Sequence, residues 1–139
     1  MSSPEHPALE SAVLEANARF YSAFSAGDFP AMSELWARHA PVTCLHPGAP
    51  LLVGRPLVLA SFREILSERP AFRLRCDSPV VSLHGEVAVV LCYEGGEGAP
   101  AHLAATNVFV LENGEFRMTH HQAGPLSSPR SDPRRTDLN

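Results

Sequence analysis

Apolar residues recur at three- and four-residue steps near the start of the chain: Leu9, Val13, Ala16, Phe20 and Phe24. That spacing puts them on one face and predicts a helix from Ala8 to Ala26. Gly27 ends it, because a glycine adopts the left-handed conformation of a helix C-terminus without strain. Asp28 reads as the N-cap of a second short helix, with Pro30 in its first turn and Met32, Leu35 and Trp36 on its buried side. Pro41 stops that helix. Residues 42–46 read as a short strand and PGAPLLVG as a loop. Pro56 opens a third helix that ends before Pro70, with Leu57, Ala60, Ser61, Ile65 and Leu66 near one face.

The period then changes from helical to two. Phe72, Leu74 and Cys76 alternate with Arg73, Arg75 and Asp77, as on a half-exposed strand, and Val80 to Leu83 continues it to a turn at His84-Gly85. In the strand 86–94 both faces are apolar: Val87, Val89 and Leu91 on one, Ala88, Val90 and Cys92 on the other. Both faces therefore need cover, one by the domain's own helices and the other by a second copy of the sheet. Residues 95–100 form a turn. His102 to Glu112 is a long strand, Asn113-Gly114 a tight hairpin turn, and Glu115 to Ala123 the last strand, with Pro125 closing the domain. The order is helix, helix, strand, helix and then a four-strand meander. This is an α+β pattern, with helices packed on one face of a curved sheet. Residues 8–125 form the domain, flanked by disordered ends at 1–7 and 126–139.

Composition narrows the function. A chain of 139 residues suits one domain, and 45% apolar residues suffice for a core. The formal net charge of −4 argues against a nucleic-acid partner, because nothing offsets phosphate repulsion. The basic cluster Arg130, Arg134 and Arg135 lies in a Ser/Pro-rich tail and reads as solvated. No apolar run approaches the roughly 20 residues of a membrane helix. MSSPEHPALE lacks the basic-then-apolar plan of a secretory signal. These features predict a cytoplasmic protein with no membrane partner. Cys44, Cys76 and Cys92 are odd in number and far apart, so they read as reduced core thiols, with neither a disulfide nor a metal site expected.

The chemistry-bearing residues are few. His46 ends an apolar strand and is followed at once by Pro47 and Gly48. An imidazole titrating near ~6.5 serves as acid or base near neutral pH. Pro47 and Gly48 fix and turn the backbone that aims it. The alternative is a ring that merely bonds a backbone carbonyl at the strand end. Asn107 shares a face with Leu103, Ala105 and Phe109, and an amide buried there needs partners. His120 and His121 are neighbours on a strand and point to opposite faces, which argues against a shared metal. There is no Gly-x-Ser-x-Gly elbow and no glycine-rich phosphate loop.

Several motifs, in this order and spacing, resemble the SnoaL-like branch of the nuclear-transport-factor-2-like superfamily. They are Ala26-Gly27-Asp28, Leu35-Trp36-Ala37, Leu45-His46-Pro47-Gly48 and Val53-Gly54-Arg55, then Ala105-Thr106-Asn107-Val108-Phe109 and Asn113-Gly114-Glu115-Phe116 leading to His120-His121. The resemblance covers roughly residues 9–125. It implies a cone-shaped roll: three N-terminal helices on a curved, mostly antiparallel sheet that encloses a pocket.

By resemblance to the steroid isomerases of that superfamily, His46 falls within one residue of the place of the catalytic carboxylate, and Asn107 at that of an oxyanion donor. The resemblance implies that Arg117, Thr119, His121 and Ala123 face the pocket, with His120, Phe116 and Met118 on the other side. Phe20 takes the place of a catalytic tyrosine and lacks its hydroxyl, while Tyr21 next to it points about 100° away. Phe20, Trp36 and Phe109 are the expected apolar ligand-binding residues, and His46, Asn107 and His121 the expected catalytic ones.

Two functions follow. One is a cofactor-free proton-transfer enzyme of isomerase, dehydratase or cyclase type, acting on a small apolar or aromatic molecule. The other is a non-catalytic homodimeric module that pairs through the sheet and binds a ligand or partner.

Overall fold

The computed structural model describes residues 6–68 and 73–130. The expectations placed on residues 1–5, on Pro70 and Phe72, and on the tail beyond Arg130 lie outside the described residues. The elements run α1 (His6–Ala26), α2 (Phe29–Leu35), β1 (Thr43–Leu45), β2 (Leu52–Val53), α3 (Arg55–Glu68), β3 (Leu74–His84), β4 (Val87–Gly96), β5 (Ala101–Glu112) and β6 (Glu115–Arg130). The strands form one sheet in the order β2-β1-β6-β5-β4-β3. Neighbours are antiparallel except β1, which runs parallel to β6. The helices lie against one face, giving the expected α+β architecture.

Local chemistry sets the joints. Gly27 takes φ +66° after α1, and the Asp28 carboxylate accepts the Ala31 N–H at 3.1 Å to start α2. Asn113 and Gly114 both take positive φ in the β5–β6 hairpin, as a tight turn requires. The segment from Trp36 into β1 is clamped from both sides. Arg55 donates to the carbonyls of Trp36 (2.7 Å), Ala37 (3.0 Å) and Ser33 (3.1 Å), which α2 leaves without helical partners. The Glu112 carboxylate accepts the N–H groups of Arg38, His39 and Ala40. This clamp fixes where β1 ends, and so where His46 stands.

The core lies between the helices and the inner sheet face. Phe20, Trp36, Phe62, Phe109, Met32 and Met118 are its largest fully buried members. Each contributes roughly 1.5–3 kcal/mol by leaving water.

Three local expectations change. In α3 the buried stripe is Val58, Phe62 and Leu66, while Leu57 is 58% exposed. The helix is turned by one position, so that the four-residue series Val58, Phe62 and Leu66 meets the core. In β6, Phe116 and Met118 point inward, not outward with His120. Val108 pairs with His120 but Phe109 with Met118, so Thr119 is an extra, bulged residue and the parity flips across it. Arg117 and Thr119 therefore leave the inner face, while His121 and Ala123 stay on it.

The third change is at the strand ends. β4 runs to Gly96, β6 continues past Pro125 to Arg130, and part of PGAPLLVG forms β2. A second bulge, Ser78-Pro79 opposite Cys92, bends β3. The outer sheet face is open, with Val80 62% and Leu91 50% exposed.

Candidate functional site

A cavity of about 210 Å³ opens where β1, α1 and α3 meet the β4–β6 strands. Its wall includes Phe20 and Phe24 from α1, His46 and Pro47 after β1, and Phe62 and Ile65 from α3. Leu74, Glu94, His102, Leu103, His121 and Ala123 from the sheet complete it. Larger hollows lie on the outside, including one of about 540 Å³ over the outer sheet face near Val80 and Leu91. Neither His46, His121 nor Glu94 lines them.

His46 is positioned by its neighbours on β1 and α3. Its Nε2 lies 2.9 Å from Ser61 Oγ and 3.7 Å from Cys44 Sγ. The Ser61 hydroxyl proton goes to the Val58 carbonyl at 2.7 Å, so Ser61 Oγ accepts from His46 Nε2–H. That assigns the tautomer and leaves Nδ1 as a bare acceptor without a partner among the described residues. The ring stands edge-on to Phe62 at 5.0 Å. Burial lowers its pKa, because an imidazolium there has little water around it.

His121 is more deeply set. Its Nδ1 lies 2.6 Å from Asn107 Oδ1. Asn107 Nδ2 donates to Asn17 Oδ1 at 2.8 Å and to Tyr21 Oη at 3.1 Å. With the amide turned this way, its oxygen accepts from His121 Nδ1–H, and Nε2 carries the lone pair. Burial first, then the nearby His46 and His120, push the His121 pKa down to about 3. The ring is neutral at pH 7 and lies against Phe20, with centroids 4.7 Å apart.

The network continues to Tyr21, expected to point away from Phe20, and to Glu94 and Asn17, which carried no expectation. Tyr21 is buried. Its hydroxyl donates to Glu94 Oε2 at 2.5 Å and touches Cys92 Sγ at 3.3 Å. Glu94 is 2% exposed and sits on the cavity wall. Burial raises its pKa, and the Tyr21 bond lowers it by less. Burial also raises the Tyr21 phenol, with the Glu94 charge adding to it. Asn17, likewise buried, donates to Cys76 Sγ at 3.4 Å.

A signal for Glu94 was present: Ala88, Val90, Cys92 and Glu94 share one parity, and the first three are apolar. Tyr21 faces inward because α1 buries a wide stripe that includes Ala16, Asn17, Phe20, Tyr21 and Ala23. The 100° between Phe20 and Tyr21 fits within it.

The structure thus brings His46, His121 and Phe20 to one cavity, and adds Glu94 and His102. Asn107 is fully buried behind His121, and its amide already donates to Asn17 and Tyr21. It orients other side chains instead of facing the cavity. Trp36 and Phe109 are fully buried core residues away from the cavity wall. His120 bonds Thr43 Oγ1 through Nδ1 at 2.7 Å, away from His121. The three cysteines are unpaired, and burial pushes the Cys44 thiol up to about 12. No group of three metal-ligating side chains converges among the described residues. No helix among them is long and apolar enough to cross a membrane.

Helices on an open sheet, with polar side chains gathered in one end of an apolar core, define a small α+β cone of the nuclear-transport-factor-2-like kind. The chain belongs to the family with a SnoaL-like domain, whose model matches residues 13–128. A candidate dehydratase of the NTF2-like family from Streptomyces avermitilis is 32% identical. The match covers 88% of this chain and 99% of that one, with a TM-score of 0.78. A candidate calcium/calmodulin-dependent protein kinase type II association domain from Thiobacillus denitrificans is 35% identical. It is matched over 81% of this chain and 93% of that one, with a TM-score of 0.70. The F-box protein SKIP8 of Arabidopsis thaliana is 26% identical over 124 residues, which is 88% of this chain. The chain spans 53% of the length of that curated relative.

Proposed function

We propose that the protein is a cofactor-free enzyme of proton transfer, acting on a small, mostly apolar molecule that carries a carbonyl or hydroxyl group. The observation that carries this reading is the pair of neutral imidazoles on one apolar cavity wall, each held through one nitrogen and, among the described residues, without a partner at the other. His46 Nδ1 acts as the base and removes a proton from carbon beside a carbonyl. Its lowered pKa keeps it unprotonated, and therefore competent, at neutral pH. His121 assists by accepting from a substrate hydroxyl, and Asn107 keeps it in the right tautomer.

Phe20, Phe24, Phe62 and Ile65 provide the apolar walls. Among the described residues no lysine or arginine lines the cavity, which favours an uncharged substrate over an anionic one. At about 210 Å³ the cavity is smaller than the usual ~300–1,000 Å³ ligand site, which favours a single-ring or short-chain molecule. The similarity to a candidate dehydratase points the same way.

The test is a panel of small hydroxy-ketones, followed by the absorbance of the conjugated product. His46→Ala abolishes turnover while the circular dichroism spectrum is unchanged. Turnover that persists in that variant sinks the assignment.

A second reading rests on a different observation. The outer sheet face exposes Val80, Val87 and Leu91, and the association-domain relative shares 35% identity. In this reading a second copy of the chain covers that face, and the module assembles subunits or holds a ligand without turnover. Sedimentation as a monomer at micromolar concentration counts against it.

A further inference from the structure

The acid–base reading above uses only the imidazoles, which offer the cavity two lone pairs and no proton. A carbonyl or hydroxyl substrate also needs a donor for its oxygen. We infer that Glu94 is that donor: Tyr21 holds its Oε2 and leaves Oε1 facing the cavity as an acid group that gives its proton to the substrate oxygen. This inference rests on the proposed proton-transfer function.

The geometry carries it. Glu94 lies on the cavity wall and is 2% exposed. Its one hydrogen bond among the described residues is the 2.5 Å bond from the Tyr21 hydroxyl to Oε2. Oε1 has no partner among the described residues, and it is not one of their sealed-off unpartnered side-chain atoms. A buried carboxyl with one oxygen fixed and the other turned to a cavity is arranged for exchange with a ligand, not for structure alone.

The groups facing it favour the protonated form. From α1 comes Tyr21, whose phenol stays protonated. Cys92 on its own strand and Cys76, its cross-strand partner on β3, carry no positive charge. On β5 it pairs with Leu103, beside the exposed His102. His46 and His121 share the cavity and are neutral at pH 7. On β3, Arg75 is engaged by Asp77 at 2.7 Å and by the Gly96 carbonyl at 2.7 Å, and forms no ion pair with Glu94. Among the described residues no cation opposes desolvation, and burial raises the carboxyl pKa above its ordinary value by more than the Tyr21 bond lowers it.

The step balances. His46 Nδ1 takes the proton from the carbon beside the carbonyl, and the C–H electron pair forms the new C=C bond. The carbonyl π pair moves onto oxygen, which receives the proton of Glu94 Oε1. The products are a neutral enol, an imidazolium and a carboxylate, each new charge offsetting the other inside the cavity. Return of the protons regenerates both groups and delivers the product. Tyr21 acts as a positioning residue by fixing which oxygen is free.

The experiment uses the full chain and acetophenone carrying carbon-13 at its carbonyl. A carbonyl that accepts a strong hydrogen bond moves downfield in the carbon-13 spectrum. On the wild-type protein the bound resonance is expected downfield of its position in buffer, returning upfield as rising pH ionises Glu94. In Glu94→Gln that pH dependence disappears. Carbon-13 labelling of the glutamate carboxyls in wild-type protein gives a measurement that needs no variant: Glu94 titrates above every exposed glutamate.

If Glu94 titrates with the exposed glutamates, the inference is overturned. It is also overturned if acetophenone binds and its carbonyl behaves identically in both proteins, and in either case the His46 reading stands. If acetophenone does not bind at millimolar concentration, the carbonyl-substrate reading itself fails, and this inference with it.

Discussion

Acid should unfold this protein partly through one imidazole. His121 is neutral in the fold, with a pKa pushed down from 6.5 to about 3 by burial and by its histidine neighbours. In the unfolded chain it returns to its ordinary value. Between those two pH values the unfolded state binds one more proton than the folded state, so stability rises with pH across that window. The stabilisation is complete above pH ~6.5 and is lost as pH falls towards ~3, at roughly 1.4 kcal/mol per pH unit.

From pH 6.5 to 4.5 His121 alone therefore accounts for about 2 kcal/mol, a sizeable share of the ~5–15 kcal/mol of a typical domain. His46 titrates in the same direction and the raised carboxyl of Glu94 in the opposite one, so total stability does not isolate the effect. The difference between wild-type and His121→Gln does. Urea unfolding at half-unit pH steps is the assay. The wild-type curve should fall more steeply than the variant's below pH 6.5, and the gap should open by about 2 kcal/mol by pH 4.5. Parallel curves would mean that His121 is protonated in the fold, and would remove the buried neutral imidazole on which the site depends.

Three further outcomes are expected. Asn107→Leu removes the acceptor of His121 Nδ1–H and the donor to Asn17 and Tyr21. At about 1–3 kcal/mol for each buried partner left unsatisfied, it should cost roughly 3–5 kcal/mol after the gain from the leucine. The urea midpoint drops accordingly, and a loss below ~1 kcal/mol speaks against the chain of bonds. Gly95→Ala places a Cβ 2.9 Å from Ala101 Cα and 3.1 Å from the Pro100 oxygen, both backbone, so it should destabilise by about 1–3 kcal/mol in thermal melts. For the outer sheet face, Leu91→Lys should leave a monomeric protein's sedimentation unchanged but split a sheet-paired dimer into monomers.

The elements were legible because each rests on a short-range signal. Helix period with Gly27 and Asp28 marks α1 and α2, and Asn113-Gly114 marks the last hairpin. The inward parity of Leu103, Ala105, Asn107 and Phe109 follows from period two, and β5 runs without interruption from Leu103 to Val108. Beyond Val108 the pairing shifts, and this hid the orientation of Phe116 and Met118. A bulge is one residue long and leaves no periodic trace, so counting by twos carried the wrong face across Thr119.

The site was half legible. His46 stands out as a polar residue at the end of an apolar strand, and His121 as the inward member of a pair. Glu94 and Tyr21 did not stand out, because their partners are far away in the chain: 73 residues separate the two. Trp36 and Phe109 were expected as ligand walls from the resemblance to a cone with a pocket. Both turned out to be core, the commoner fate of a large apolar side chain.

The central claim is that this cavity moves protons through His46. Its most direct test is hydrogen–deuterium exchange at the carbon beside the carbonyl of small ketones in heavy water, followed by proton NMR. This reads the proton-transfer step whatever the final product is. The account predicts exchange well above the buffer rate with wild-type protein, falling to the buffer rate with folded His46→Ala. Exchange at the buffer rate across the panel, or undiminished in the variant, would contradict it.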